Sequence, residues 1–380
     1  MCDYIESSQA GKWLFQSEEQ LKNCREKASK KAIAFLQSLA TSSTPTKPPV
    51  LRFAFGYSEG KTESMTTDNG ESGSSSMYLT ANEELHLVDF YAGKLPSLIG
   101  PKAQVPRLTR DSKVAATAVL LYRRFYLSNS VMVFDPKEIM TAAAFLASKV
   151  EDAMTDIRYL EEGTKVMNAP VTQSAILASE LVLLEGINFD LLCFHPFKAV
   201  LAFTQDLRQF VKTKVGRGLV QLITAQEKDR PVVGQDLKEL HDASLKRLNE
   251  ICILSDLPLL YSPGKVGLAC MMVANERSCK TIKVDLMGYI EHRFAHYQPK
   301  ELAELKAKLP EVCAMIVRLS SGEKTNYFTD PDLIVLKAIH KKLKKCRIWG
   351  EKKDKKKSKK NKRKAEEQDG NGSKKAKTEA

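Results

Sequence analysis

A long internal repeat constrains this chain more than any single segment. Displaced by 127 residues and without a gap, "LLYRRFYLSNSVMVFDPKEIMTAAAFLASK" (120–149) lies over "RLNEICILSDLPLLYSPGKVGLACMMVANE" (247–276). Leu121/Leu248, Leu127/Leu254, Ser128/Ser255, Pro136/Pro263, Ala142/Ala269 and Ala147/Ala274 are identical, and Ile139/Val266 and Leu146/Val273 keep their character. Each copy reads as a helix, a connection, and a proline at the start of a second helix, where its missing N–H costs nothing. That second helix is rich in alanine, which lets neighbours approach closely. The repeat predicts two similar all-α domains.

The rest of the chain fits around them. From Tyr78 to about Leu319 the pattern is helix-periodic, with breaks predicted at Pro96, Pro136, Pro170, Gly186, Pro196, Pro258, Pro263, Pro299 and Pro310. Strand-like alternation is scarce. Residues 17–40 read as a helix with Ser17 as N-cap. The apolar cluster ahead of it, Trp13, Leu14 and Phe15, predicts docking of this helix on one of the domains. The expected organisation is an N-terminal helical segment (1–40), a flexible low-complexity insertion (41–77), a first domain (78–192), a second (193–322), a C-terminal helix (323–348) and a disordered lysine-rich tail (349–380).

Composition excludes several functions. The net charge of +13 is misleading, because Lys341–Lys364 holds 15 Lys/Arg against two acids and accounts for all of it. The remaining 44 basic and 44 acidic residues cancel, so a domain-wide phosphate-binding surface is not expected. Eight cysteines stand singly with no CxxC pair, which predicts buried, reduced thiols rather than zinc or disulfides. No run of about 18 apolar residues is present to span a membrane, and the N-terminus lacks a secretory pattern. His292 and His296 are four apart on an expected helix, a zinc-compatible spacing, but no third ligand is near in sequence and a surface or core role is the better reading. "GKVGLA" (264–269) is a helix start, not a phosphate loop. No nucleophilic or acid–base constellation is readable, so neither an enzyme, a metal nor a cofactor is expected.

The copies differ at one informative place. "AAAFLASKVED" (142–152) ends its alanine-rich helix on Lys149, where the second copy has Glu276. A lysine at a helix C-terminus gains roughly 0.3–1 kcal/mol from the helix dipole, and that is the plain explanation. Glu180, however, sits inside the apolar face of "SAILASELVLLEGINF", among Ile176, Leu183 and Leu184. A carboxylate there must be paired, hydrogen-bonded or at an interface. If the two helices are neighbours, Lys149 and Glu180 meet at the rim of the first domain, either as an ordinary ion pair or as donors and acceptors for another protein's backbone.

"RRFYLSNSVM…PKEIMTAAAFLASKVED" followed by "LASELVLLEGINFDL" resembles the cyclin box, a five-helix domain that cyclins carry twice. With "SSQAGKWLFQSEEQL", "NFDLLCFHPFK" and "SDLPLLYSPGKVGLA" the resemblance is to the H-type branch of the family, the regulatory subunits of the kinase that phosphorylates other cyclin-dependent kinases. The mitotic cyclins' substrate-docking run is absent from "EELHLVDFYAGKL". The resemblance implies two tandem five-helix cyclin boxes with flanking N- and C-terminal helices. It implies that Lys149 and Glu180 hydrogen-bond main chain at a kinase's C-helix, with Phe145, Leu146, Ile176 and Leu183 supplying apolar contact. Its further implications are a cyclin-dependent kinase as partner, a third assembly-factor subunit, a transcription and DNA-repair complex, and a nuclear location. The lysine tail then reads as an import signal, with weak nucleic-acid contact as a second use. Competing readings are a different transcriptional cyclin, or a DNA-binding initiation factor of the same double fold, which would need an N-terminal zinc ribbon.

Overall fold

The computed structural model describes residues 4–41, 48–53, 77–223, 232–296, 298–320 and 332–349. Of the expected insertion (41–77) they include 41, 48–53 and 77, with Leu51 and Phe53 hydrogen-bonded to Asn129 and Asn188; of the expected tail (349–380) they include Trp349 alone. A short α1 (Ser8–Gly11) and a long α2 (Glu18–Thr41) precede the first domain. Ser17 does cap α2, accepting the Gln20 N–H at 3.2 Å. The first domain is α3 (Ala81–Leu98), α4 (Ser112–Phe125), α5 (Pro136–Val150), α6 (Ile157–Val166) and α7 (Gln173–Gly186). The second contains α8 (Phe197–Phe210), the short α9 (Lys214–Gly218), α10 (Lys238–Arg247) running on through a π turn at Leu248–Cys252, and the single-turn α11 (Leu257–Leu260). It closes with α12 (Pro263–Arg277), α13 (Leu286–Arg293) and α14 (Pro299–Ser320). α15 (Leu333–Cys346) follows.

The repeat is exact at the level of structure: α5 and α12 are both 15 residues long and begin 127 residues apart, each on a proline. Each is the central helix of its domain. α5 packs against α3, α4, α6 and α7, and α12 against α8, α10 and α14. Ala142, Ala143, Ala144 and Ala147 are completely buried, which is why a helix enclosed on every side is built from such small residues. Gly186 meets a similar demand, since a Cβ there would fall 2.5 Å from the Phe125 ring and push α7 off α4.

Some expectations fail. α14 runs straight through Pro310, and α3 continues past Pro96 to its last residues. Pro310 faces solvent, so water can take the carbonyl that loses its partner, and the helix survives. His292 and His296 do not share a helix: α13 stops at Arg293, and the His292 ring lies 5.2 Å from that of Phe210. A two-stranded antiparallel ribbon, β1 (Val220–Leu222) with β2 (Ile282–Val284), also edges the second domain. The described cysteines form no disulfide, and Cys252, Cys270, Cys279 and Cys346 are buried. No described helix is long and apolar enough to cross a membrane.

The domains are locked together by buried charge. Arg123, 2% exposed at the end of α4, donates to Asp89 Oδ1 on α3 at 2.6 Å and to Asp256 Oδ1 of the second domain at 2.9 Å. It also donates to the Leu254 carbonyl. Arg25 on α2 donates to the same Asp256 oxygen at 2.8 Å. Burial alone would raise the Asp256 carboxyl, but the two guanidiniums outweigh it and hold it at about 2. The next residue, Arg124, donates to the Asp190 carbonyl in the interdomain linker at 2.9 Å and lies 5.1 Å over the Trp13 ring.

The N-terminal segment completes this junction, so it docks on both domains, not one. Trp13, fully buried, donates from Nε1 to Asp190 Oδ2 at 3.2 Å. The Phe15 N–H donates to the Leu259 carbonyl at 2.7 Å, while Leu14 is half-buried. Gln9 clamps Phe194 of the linker, donating to its carbonyl at 3.1 Å and accepting its N–H at 2.6 Å. α15 returns to the first domain: Lys342 pairs with Glu83 on α3 at 2.7 Å and Trp349 donates to the Val131 carbonyl at 2.8 Å.

Glu84 on α3 is buried nearby, accepting from Ser130 Oγ at 2.6 Å and the Val131 N–H at 3.0 Å through Oε2. Burial lifts its pKa from 4.5 to about 7, against the hydrogen bonds from Ser130, Ser29 and Val131.

Two outcomes are expected in urea denaturation. Arg123→Met strands Asp89 and should cost about 3–5 kcal/mol at pH 7, whereas Arg25→Met, which leaves Asp256 its contact with Arg123, should cost clearly less; equal losses would show that Arg123 is not the keystone. Because the folded pKa of Glu84 is raised, the folded state binds its proton more tightly. That contribution is complete below about pH 4.5 and is lost as pH rises through 7, roughly 3 kcal/mol in all. Glu84→Gln should therefore flatten the fall in stability between pH 5 and 8; an unchanged slope would assign that fall to other groups.

Candidate partner-binding face

α5 starts with Pro136 behind the Asp135 cap, whose side chain accepts the Lys137 N–H at 2.9 Å. It ends in a Schellman turn. Asp152 adopts φ +51°, its N–H reaches the Lys149 carbonyl at 3.3 Å, and the Ala153 N–H reaches the Ser148 carbonyl at 2.9 Å. "KVED" is thus a helix terminator that leaves Lys149 in the last turn, pointing back over the preceding one. Its Nζ lies 4.0 Å from the centroid of the Phe145 ring, four residues earlier. It donates to Glu180 Oε1 at 2.8 Å and Oε2 at 3.0 Å, across from α5 to α7. The Lys149 side chain keeps 37% of its surface in solvent and that of Glu180 11%. The two helices are neighbours, the condition on which the sequence reading had these residues meet at the rim of the first domain.

The apolar residues named with them are placed differently. Ile176 and Leu183 are fully buried in the core, and Phe145 and Leu146 retain only 8% and 4% exposure. In this conformation they hold the pair in position but offer almost no surface to another molecule. The exposed apolar side chains of α7 are Leu177 and Leu181, at 50% and 70%, with Met154 at 70% in the loop after α5. Sequence reasoning missed these because α7 is apolar around most of its circumference and periodicity marks no single outer face.

The loop after Lys149 is fixed by residues that also went unread. Arg110 donates to the Ala153 carbonyl at 2.8 Å and the Met154 carbonyl at 3.0 Å. Glu151 pairs with Lys113 and accepts from Thr117 Oγ1 at 2.5 Å. Thr117 Oγ1 also lies 2.7 Å from His195 Nε2. Glu151 only accepts, so the threonine proton goes to it and His195 Nε2 donates to Thr117. Burial, with Lys113 and Arg124 nearby, drives the His195 pKa down to about 3, so the ring is neutral and carries its proton on Nε2. A carboxylate, hydroxyl and imidazole in line invite comparison with a hydrolase triad. Thr117 is completely buried, however, and no substrate can reach it. The line joins the interdomain linker to the end of α5.

Among the described residues the second domain has no counterpart. Glu276, in the place of Lys149, is exposed, and its carbonyl accepts from Lys283 Nζ at 2.9 Å. No group of three or more side chains suited to a metal occurs among the described residues. The arrangement places fixed donors and acceptors beside exposed leucines.

Comparison with known proteins agrees with this architecture. Residues 106–192 match the model of the cyclin N-terminal domain and residues 195–348 that of the cyclin C-terminal domain. Cyclin CCL1 of Saccharomyces cerevisiae is 29% identical over 273 residues, which is 72% of this chain but only 58% of that protein. Cyclin-H1-1 of Arabidopsis thaliana is 25% identical over 347 residues, covering 91% of this chain and 89% of the relative. Among solved structures, a chain of the CAK complex of Chaetomium thermophilum bound to ATP-gamma-S superposes with a TM-score of 0.65 at 23% identity, covering 90% of this chain and 88% of that one. A chain of the yeast TFIIK (Kin28/Ccl1/Tfb3) complex gives 0.51 at 23%, covering 82% and 100%. With both halves of the fold matched in order, this chain belongs to the cyclin family.

Proposed function

We propose that the chain is the regulatory cyclin of a CDK-activating kinase, binding a cyclin-dependent kinase through the rim of its first box. The observation that carries this reading is the Lys149–Glu180 pair, held bidentate at the edge of one box and absent from the other. The similarity to Cyclin-H1-1, and to chains of the CAK and Kin28/Ccl1/Tfb3 complexes, supports the choice of branch and a third, assembly-promoting subunit. The chain carries no catalysis of its own in this reading. Kinase chemistry needs an ion pair between a strand lysine and a C-helix glutamate, and a subunit that binds only the C-helix-in state shifts the population toward it by its differential affinity. Lys149 and Glu180 meet backbone groups of that helix, while Leu177 and Leu181 bury apolar area against it. The lysine-rich tail serves nuclear import, placing the complex with the transcription and DNA-repair machinery.

The test is stimulation of the cognate kinase by purified chain. Lys149→Glu, which copies the residue of the second box, should abolish stimulation with the circular dichroism spectrum intact; full stimulation would put the kinase elsewhere. Two leucine-to-polar and core changes separate contact from support. Leu181→Glu should weaken kinase binding at least tenfold and alter stability by less than about 0.5 kcal/mol. Ile176→Ala should cost about 2–5 kcal/mol of stability. If Ile176→Ala left stability untouched, its place in the core would be wrong.

A further inference from the structure

The turn that follows Lys149 is gripped from inside the first domain. Glu151, the C-cap of α5, keeps only 6% of its side chain in solvent, and its two oxygens have different partners. Lys113 takes one, and the Thr117 hydroxyl donates to the other at 2.5 Å. Lys113 and Thr117 stand one turn apart on α4, so one stretch of that helix holds the end of α5. The Thr117 oxygen accepts from His195 Nε2 at 2.7 Å. His195 follows Phe194, whose backbone Gln9 takes at both polar groups and whose ring meets that of Tyr4 edge-on, 5.5 Å between centroids. The roles along the line are fixed, since a carboxylate only accepts, a hydroxyl donates once and a neutral imidazole has one N–H to give. The second domain is held otherwise. At the displacement of 127, Ser244 stands for Thr117 and turns back to the Leu240 carbonyl of its own helix at 2.6 Å. Ser278 stands for Glu151 and accepts from Arg247 at 3.1 Å. Among the described residues, the line and the Lys149–Glu180 pair both belong to the first domain.

We propose that Thr117 and His195 are positioning residues for the Lys149–Glu180 pair, tying its geometry to the interdomain linker and to the N-terminal segment that clamps the linker. This rests on the reading of that rim as the kinase-binding face. Lys149 lies two residues before Glu151, and its carbonyl accepts the Asp152 N–H in the same turn. Without the Thr117 hydroxyl, Glu151 keeps Lys113 alone and the buried His195 N–H loses its acceptor. The turn then samples positions that the intact line forbids, and the Lys149 ammonium samples them with it. Arg110, on the Ala153 and Met154 carbonyls, still holds the far side of the turn, so the helix itself survives. A kinase that must meet Lys149 and Glu180 in one arrangement finds it in a smaller fraction of molecules, and its apparent affinity falls by that fraction.

The experiment is a double-mutant cycle on the full chain, read as its affinity for the cognate kinase by surface plasmon resonance. Thr117→Val should weaken binding by about fivefold or more, and Thr117→Ser, which keeps the hydroxyl, should stay within about twofold of the wild type. In a Lys149→Ala background, Thr117→Val should add less than about a further twofold. The same loss in both backgrounds would overturn the proposal, because Thr117 would then act on the domain and not through Lys149. So would a Thr117→Val chain that binds as the wild type does. If Thr117→Val lowers the helix content, His195→Leu carries the comparison, with His195→Gln, whose amide still donates, in place of the serine variant. Amide hydrogen exchange on the free chain judges the line without the kinase. Thr117→Val should speed exchange at Asp152 and Ala153 by about tenfold or more and leave α12 unchanged. Unchanged exchange at both amides would overturn the proposal even with the kinase reading intact. A Lys149→Ala chain that binds the kinase as the wild type does would overturn that reading instead, leaving exchange to decide whether the line fixes the turn.

Discussion

The architecture depends on two consecutive buried arginines. Arg123 and Arg124 end the same helix and point to different places, one across the domain boundary to Asp256 and the Leu254 carbonyl, the other into the linker at Asp190 and Leu192. A guanidinium cannot shed its charge by deprotonating, so each must be paired where it lies, although the buried Nε of Arg124 is left without a partner. The satisfying groups come from three separate stretches of chain, which must all be in place together. Such a cluster adds little net stability over an apolar one, but it tolerates few alternatives. It therefore sets how the boxes sit against each other. It also explains the N-terminal segment, where Trp13 covers Arg124 and Arg25 shares Asp256 with Arg123.

That rigidity extends to the rim that carries Lys149 and Glu180. α5 is enclosed on all sides, and its C-terminal turn is held by the line from His195 through Thr117 to Glu151. His195 belongs to the linker that Gln9, Trp13 and Arg124 also hold through Phe194 and Asp190. The end of α5 is thus referenced to the interdomain junction rather than left to fray, as helix ends commonly do.

Much of this was legible from residue order alone. The displacement of 127 predicted a matched pair of alanine-rich helices, each with a proline near its start, and α5 and α12 are that pair. Lys149 and Glu180 were legible because an ionisable group among apolar neighbours needs a partner. Ile176 and Leu183 were misjudged for a reason of principle. A sequence shows that α7 is apolar but not which apolar side chains the domain's own core consumes, and here the core took those two and left Leu177 and Leu181 outside. Arg123 and Arg124 were equally opaque, since basic residues in a last helical turn read as solvated, dipole-stabilising charges until the second domain is set against them. Pro310 and His296 failed through local context that only the fold supplies, an exposed helix face in one case and an early helix end in the other.

The divergence of the two copies follows from what a half-buried ion pair can still offer. Lys149 has three N–H donors and directs them at two oxygens of Glu180, and the Glu180 carboxylate has lone pairs left after receiving them. The Phe145 ring braces the ammonium against the helix, removing much of the rotamer freedom that an exposed lysine would lose on binding. The pair has already been partly desolvated during folding, so a partner's backbone can join it without stripping a full hydration shell. Glu276 in the second box is instead exposed to solvent. Recruiting it would require ordering and desolvating a free carboxylate at the moment of association. The repeated fold therefore carries a prepared ion pair on one box and a solvated carboxylate in the same place on the other.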